Sequence, residues 1–123
     1  MTPREQRKFI RYDALHLLDY LVLDEEGNPG TYSMGRTIDV SVDGLKLETT
    51  TALKTDTQLL ITLGIEDDLI DLKGRTTHAH PQDGRYISGI TFLKISKDGR
   101  RVLAKYVEAF RKRQKELQEK QDG

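Results

Sequence analysis

The sequence has no cysteine, no long apolar run and no net charge, and each absence excludes a class of protein. Without cysteine the chain forms no disulfide, no thiolate metal site and no cysteine nucleophile. No apolar run approaches the roughly 20 residues that span a bilayer, and the N-terminal MTPREQRKF lacks a hydrophobic signal core. We therefore expect a soluble cytoplasmic protein whose 123 residues form one domain, with no second module.

Sequence signatures of catalysis are also missing. The chain contains no GxSxG, GxxxxGK[ST] or GxGxxG motif, and its acidic stretches DEE and EDD lie in predicted turns, where carboxylates favour solvent. His78 and His80 are two residues apart on a predicted strand, so they share a face, but no third metal ligand accompanies them. An ordinary surface pair is favoured over a metal site. We expect a binding protein with no enzymatic activity, no metal and no cofactor.

Charge is unevenly spread along the chain. Residues 1–12 carry four basic side chains against one acidic, a net of +3, and residues 97–123 carry nine against five, a net of +4. The segment between them holds seven basic and fourteen acidic side chains, a net of −7. This distribution argues against a general nucleic-acid surface, which needs a broad basic face. It is compatible with a compact anion bound by the ends of the chain.

Hydrophobic patterning predicts six strands followed by one helix. The strands are expected at Leu15–Leu23, Thr31–Val40, Leu45–Thr49, Leu59–Ile65, Leu69–His80 and Tyr86–Ile95. Apolar residues then recur at helical spacing, and Ser96 is placed to cap the helix. An open sheet of strands this short would leave two reactive edges, so closure is favoured. We predict a mainly β fold, a six-stranded antiparallel β-barrel with a C-terminal α-helix, divided into an arm (1–12), a barrel (13–96) and a helix with its tail (97–123).

The first candidate binding feature is the basic arm, in which Arg7 and Arg11 are four residues apart. A guanidinium group grips a phosphate bidentately, pairs with the O6 and N7 edge of guanine, or stacks on a base. A solvated tail explains the same residues, because an RxxxR match arises about once by chance in a chain this rich in arginine.

The second feature is the segment Asp39-Val40-Ser41-Val42-Asp43-Gly44. A carboxylate and a hydroxyl lie two residues apart at a strand end, and Gly44 follows where the turn needs a positive φ or a close backbone approach to a ligand. The alternative is a plain hairpin turn in which Asp39 and Ser41 bond local amides.

In this order and spacing, the two features resemble the signature of the PilZ domain family, bacterial receptors for the second messenger cyclic di-GMP. The family pattern is RxxxR followed some 20 to 40 residues later by [D/N]xSxxG. The late stretch Tyr86-Ile87-Ser88-Gly89-Ile90-Thr91-Phe92 is similar to the family's last strand, which precedes a terminal helix. The resemblance covers nearly the whole chain, and no signature position is substituted. It implies the same barrel and helix that the patterning predicts.

The resemblance also implies roles for individual residues. Arg7 and Arg11 would grip the guanine bases and phosphates of cyclic di-GMP, with Lys8 as an auxiliary cation or a solvated side chain. Asp39 would accept the guanine N1 and N2 hydrogens, and Ser41 would bond to base or phosphate. Gly44 would complete the turn that receives this side of the ligand. Ligand binding would fold the arm onto the barrel and change the surface that an unidentified downstream protein sees in motility, biofilm or a related output.

Two other functions compete with this interpretation. One is a PilZ-fold adaptor that docks on a motility or secretion protein without nucleotide, although such relatives usually lose the arginine arm. The other is a single-strand nucleic-acid barrel, which expects interleaved aromatic residues and a basic groove, whereas the three Phe and five Tyr are scattered. We expect no nucleic-acid polymer as partner, no membrane insertion, and a monomer or homodimer, since Leu117 extends the apolar stripe beside a basic cluster.

Overall fold

The computed structural model describes residues 17–122, which form six strands and one long helix. The elements are β1 Leu17–Leu23, β2 Pro29–Val40, β3 Gly44–Thr49, β4 Gln58–Ile65, β5 Asp68–Gln82, β6 Arg85–Phe92 and α1 Lys97–Asp122. The basic arm, with Arg7, Lys8 and Arg11, lies outside the described residues.

The strands close into an antiparallel barrel in the order β1-β2-β3-β6-β5-β4, with β4 returning to pair with β1. Closure supplies every strand with two hydrogen-bonded neighbours, so the barrel presents no free edge for association. The predicted fold class, a six-stranded antiparallel barrel with a C-terminal helix, is confirmed.

The core runs from the barrel interior into the helix. Strand β4 shows the pattern most clearly, because Leu59, Ile61 and Leu63 alternate with more exposed residues and are fully buried. The helix adds Val102, Leu103, Tyr106, Val107 and Phe110 to the same buried cluster. The spacing of buried apolar residues changes from every second residue to about every 3.6 residues where the chain leaves the sheet, as the sequence predicts.

Most predicted element boundaries need small corrections. Strand β6 ends at Phe92 instead of Ile95, because the next residues cross to the helix, where the Ser96 hydroxyl accepts a hydrogen bond from the Gly99 amide at 3.0 Å. That contact confirms Ser96 as the helix cap. The connection between the fifth and sixth strands is shorter than the gap between the predicted strands: Asp83 and Gly84 alone form it, both with positive φ (51° and 80°), as a two-residue hairpin loop requires.

Strand β2 contains a bulge that sets the faces of its last residues. Its register against β3 shifts between Thr37 and Asp39, which places Ile38 as the extra residue. Without the bulge, Asp39 would share the inward face of Thr37, two residues before it. With the bulge, Asp39 is exposed and pairs with exposed Lys46, while Val40 is buried. The bulge therefore turns the predicted site carboxylate outward.

Gly35, three residues before Ile38 in this strand, is not part of the bulge. Gly35 pairs regularly with Leu18, and its role is steric. A Cβ there would lie 2.7 Å from Leu47 Cδ1, so the absent side chain makes room for a core leucine.

Candidate functional site

The turn from Ser41 to Gly44 is held by its own hydrogen bonds. The Ser41 amide donates to the Gly44 carbonyl at 2.8 Å, and the Asp43 amide donates to Ser41 Oγ at 3.2 Å. The Ser41 hydroxyl also lies 3.4 Å from the Gly44 carbonyl, which it can donate to. The local role considered for Ser41 is therefore present, and it fixes the hydroxyl at the corner between β2 and β3.

Asp39 likewise makes one local bond and faces solvent. Its Oδ1 accepts a hydrogen bond from the next amide, that of Val40, at 2.9 Å. No described residue bonds to its second carboxylate oxygen, Oδ2. Asp39 thus presents an acceptor on the outer surface of the barrel, held in place by the bulge and by its own backbone contact.

Gly44 is required by strand packing, not by a special backbone angle. The positive-φ glycines in residues 17–122 are Gly27 and Gly84, so the expectation of a positive φ at Gly44 is wrong. A Cβ on Gly44 would lie 2.2 Å from the carbonyl oxygen of Ile90 and 3.4 Å from the Cα of Thr91. The close approach is to the backbone of β6, which any side chain at this position would push away.

These three residues line one shallow groove of about 290 Å³ on the barrel surface, which we call the Asp39 groove. Its other walls come from β3, β5, β6 and α1; the lining residues are Asp39, Val40, Ser41, Gly44, Leu45, Lys46, Thr77, Gly89, Ile90, Thr91 and Arg111. Gly89, from the late stretch singled out in the sequence, keeps the floor low, since a Cβ there would lie 2.5 Å from Thr77 Oγ1. The structure therefore gathers Asp39, Ser41, Gly44 and Gly89 at one place.

Two cations in this groove were not identified from the sequence. Lys46 pairs in register with Asp39 across β2 and β3, and Arg111 reaches the groove from the helix. Lys46 had a usable signal, because it alternates outward two residues after Gly44. Arg111 had none, because the spacing of a helix does not reveal which strand it will lie beside.

The described part of the chain begins close to this groove. Strand β1 begins at Leu17, which pairs with Arg36, and Asp39 lies three residues further along β2, roughly 10 Å away. Arg11 precedes Leu17 by six residues, and a chain of that length spans at most about 20 Å. The distance places the Asp39 groove within reach of the arm, although the arm itself is outside the described residues.

Two larger grooves of the described structure lack Asp39, Ser41 and Gly44. The groove of about 410 Å³ at the start of β1 is lined by the cations Arg36 and Arg85 and by the carboxylates Glu48 and Asp83, and Arg85 Nε lies 4.0 Å from Glu48 Oε1. The groove of about 480 Å³ beside the helix start has a mixed lining, in which Lys94, Arg100 and Asp43 accompany apolar residues such as Leu93 and Ile95. Within the described part of the chain no three potential metal ligands cluster, and His78 and His80 are exposed.

Comparison with known proteins gives a family and a fold. A family model described as "PilZ domain" matches residues 5–109. No curated protein matches the sequence. In residues 17–122 no helix is both long enough and apolar enough to cross a membrane.

Solved structures share the architecture at low identity. The PilZ domain of CeSA from a cellulose-synthesizing bacterium is 18% identical, with a TM-score of 0.55, over 77% of this chain and 93% of that one. The PilZ domain of YcgR from Escherichia coli, solved with c-di-GMP, is 16% identical with a TM-score of 0.62, over 86% of this chain and 88% of that one. MrkH from K. pneumonia in complex with c-di-GMP is 17% identical with a TM-score of 0.58, over 81% of this chain and 49% of that one.

These likenesses support the barrel and helix, and the family follows from the sequence match. Because the family model covers residues 5–109, most of the 123 residues, the chain belongs to the PilZ domain family.

Proposed function

We propose that this protein is a non-catalytic receptor for cyclic di-GMP, with Arg7 and Arg11 closing on a ligand seated in the Asp39 groove. The observation that carries the proposal is the meeting of Asp39, Ser41 and Gly44 in one groove, with Asp39 roughly 10 Å from Leu17, the first described residue. The c-di-GMP present in the YcgR and MrkH structures supports the same ligand class for this fold.

The groove provides complementary chemistry for a guanine base. Asp39 directs a carboxylate acceptor outward, which suits the N1 and N2 hydrogens of guanine, and Ser41 adds a hydroxyl. Gly44 and Gly89 leave the floor free of side chains, so a flat ring can approach the backbone of β3 and β6. The groove itself is shallow, so a ligand there needs a second wall.

The arm would supply that second wall. Two guanidinium groups four residues apart can each engage a phosphate or the O6 and N7 edge of a guanine. Ordering a short polar segment costs conformational entropy, which two charge-assisted contacts offset. Ligand binding would thereby change the surface near β1 and β2 that a downstream protein contacts.

Isothermal titration calorimetry with cyclic di-GMP tests this proposal. A bidentate arginine–guanine contact is worth about 1–3 kcal/mol, so Arg7→Ala and Arg11→Ala should each weaken binding about five- to 150-fold. Arg4→Ala is the matched control, since it removes the same charge from the arm outside the RxxxR pair. Lys8→Ala separates an auxiliary contact from a solvated side chain.

Two results would overturn the proposal. Wild-type protein that does not bind cyclic di-GMP, while remaining folded, favours the nucleotide-free adaptor. Tighter binding of short oligonucleotides than of cyclic di-GMP favours the nucleic-acid barrel. Thermal melting with each ligand separates these cases, because a ligand that binds only the folded state raises the melting temperature.

A further inference from the structure

The C-terminal helix contributes Arg111 to the Asp39 groove, and its neighbouring contacts place it there. Arg111 lines the groove, and three residues later Gln114 Nε2 donates a hydrogen bond to the carbonyl oxygen of Ile38 at 3.3 Å. Residues at i and i+3 lie on one side of a helix, so this side of α1 faces strand β2. Ile38 is the bulge residue, immediately before Asp39, so the helix is anchored directly beside the site carboxylate.

Arg111 differs from its two basic neighbours, Lys112 and Arg113, because it lines the Asp39 groove and has no ion-pair partner among the described residues. It is exposed, and no carboxylate in the described part of the chain lies within ion-pair distance of it. Arg113, by contrast, lies 3.6 Å from Glu116 Oε2. Lys112 is exposed and does not line the groove.

The charge of the groove explains why a cation is needed at this position. Asp39 suits a guanine edge but repels a phosphate, and among the described lining residues only Lys46 and Arg111 are cations. A cyclic dinucleotide carries two phosphates, so a cation on the helix side of the groove offsets the repulsion that Asp39 exerts on them.

We propose that Arg111 makes a direct cationic contact to the dinucleotide in the Asp39 groove, so that the ligand joins strand β2 to the C-terminal helix. This inference rests on the proposed function, since it assigns a residue of the same site. Its consequence is that α1 is part of the receptor site as well as a cover for the core. A bound ligand would then add a contact between the distal half of the helix and β2, beside the hydrogen bond from Gln114 to Ile38.

Calorimetry with cyclic di-GMP on Arg111→Ala and Lys112→Ala tests the inference. Charge-assisted hydrogen bonds are among the stronger polar contacts, so Arg111→Ala should weaken binding about ten- to 150-fold. Lys112→Ala removes an equal charge one residue away and should leave the affinity within about twofold, because exposed, unpaired charges contribute little. Arg111→Lys keeps the charge but loses the fork, so it should recover part of the affinity.

Thermal melting shows whether Arg111 acts through the fold. Arg111 is exposed, so Arg111→Ala should melt within about 3 °C of wild type without ligand. A larger loss of melting temperature would mean that Arg111 holds the helix in place, and would overturn a direct contact. Gln114→Ala provides the comparison, because it loosens the helix without removing the cation.

The possible failures are distinguishable. Arg111→Ala that binds like wild type overturns the inference and leaves the proposed function standing. Equal weakening by Arg111→Ala and Lys112→Ala also overturns it, because long-range charge then explains the effect. Folded wild-type protein that does not bind cyclic di-GMP removes the proposed function and this inference together.

Discussion

The hydroxyl groups of Tyr106 and Thr37 lie 3.2 Å apart, and both side chains are almost completely buried. Tyr106 belongs to α1, and Thr37 is the last residue of β2 before the bulge that turns Asp39 outward. Either oxygen can donate, so the bond joins the helix to the strand that carries the candidate site. Three successive residues of β2 thus lie beside α1. Thr37 contacts Tyr106, Ile38 accepts a hydrogen bond from Gln114, and Asp39 lines the same groove as Arg111.

Replacing Tyr106 by Phe should destabilise the protein by about 1–3 kcal/mol, because a buried Thr37 hydroxyl loses its partner. Equilibrium urea unfolding measures the loss in free energy. A double-mutant cycle with Thr37→Val isolates the pair: the two changes should be less than additive if the hydrogen bond is responsible. A coupling energy near zero would show that the two hydroxyls contribute independently.

The same residue predicts a dependence on alkaline pH. Burial raises the pKa of Tyr106 above its ordinary value of 10.0, and the hydrogen bond to Thr37 opposes the rise only in part. A raised folded-state pKa stabilises the fold fully below pH 10 and loses that contribution as the pH rises through the folded value. The free energy of unfolding should therefore fall more steeply above pH 10 in wild type than in Tyr106→Phe. Parallel curves for the two proteins would exclude Tyr106 as the group responsible.

Much of the fold could be predicted from the sequence because the signals are local. Strand β4 alternates strictly from Leu59 to Leu63, and Ser96 precedes a run at helical spacing, so periodicity and capping chemistry identify both elements. The bulge at Ile38 could not be predicted, since it depends on how β2 fits β3 across the barrel. The sequence nevertheless predicted that Asp39 and Ser41 share a face. The exposure of Asp39 on that face depends on the bulge.

The residues of the candidate site also differ in whether a local sequence pattern could identify them. Asp39, Ser41 and Gly44 are close in sequence, so a short pattern singled them out together. Arg111 is 72 residues from Asp39, and its place in the groove is set by how the helix packs on the barrel. No local pattern records that packing, which tertiary burial of Tyr106 and Phe110 decides.

Gly44→Ala should destabilise the barrel, whatever the ligand. The new Cβ would lie 2.2 Å from the Ile90 carbonyl oxygen, and two paired backbones cannot separate without losing ladder bonds. We expect a loss of about 1–3 kcal/mol or more in the free energy of unfolding. Gly64→Ala is the control, because the Cβ there meets the flexible end of Leu69 at 3.0 Å instead of backbone.

The comparison changes how a binding defect at Gly44 should be interpreted. If Gly44→Ala unfolds more easily than Gly64→Ala, a lost affinity reports a displaced β6, and with it a displaced Gly89, not a missing contact to the ligand. Equal stability of the two variants would contradict the packing role. Urea unfolding without ligand must therefore precede any titration of this variant.

Asp39→Ala should separate ligand recognition from folding at the same corner. Asp39 is exposed and bonds only to the adjacent Val40 amide among described residues, so its replacement should change stability by no more than about 0.5 kcal/mol. If its carboxylate accepts guanine hydrogens, loss of that charged hydrogen bond, about 1.5–3 kcal/mol, should weaken cyclic di-GMP binding roughly ten- to 150-fold by calorimetry.

Asp43→Ala is the matched control, because Asp43 is exposed in the same turn, carries the same charge and does not line the Asp39 groove. Removing either carboxylate reduces the repulsion of a ligand phosphate, so a purely electrostatic role predicts tighter binding for both variants. A guanine contact predicts opposite signs: weaker binding for Asp39→Ala, and unchanged or slightly tighter binding for Asp43→Ala. Asp39→Asn refines the result, because the family pattern allows either Asp or Asn at this position and the amide oxygen keeps one acceptor for a guanine hydrogen, so this variant should recover part of the affinity that Asp39→Ala loses.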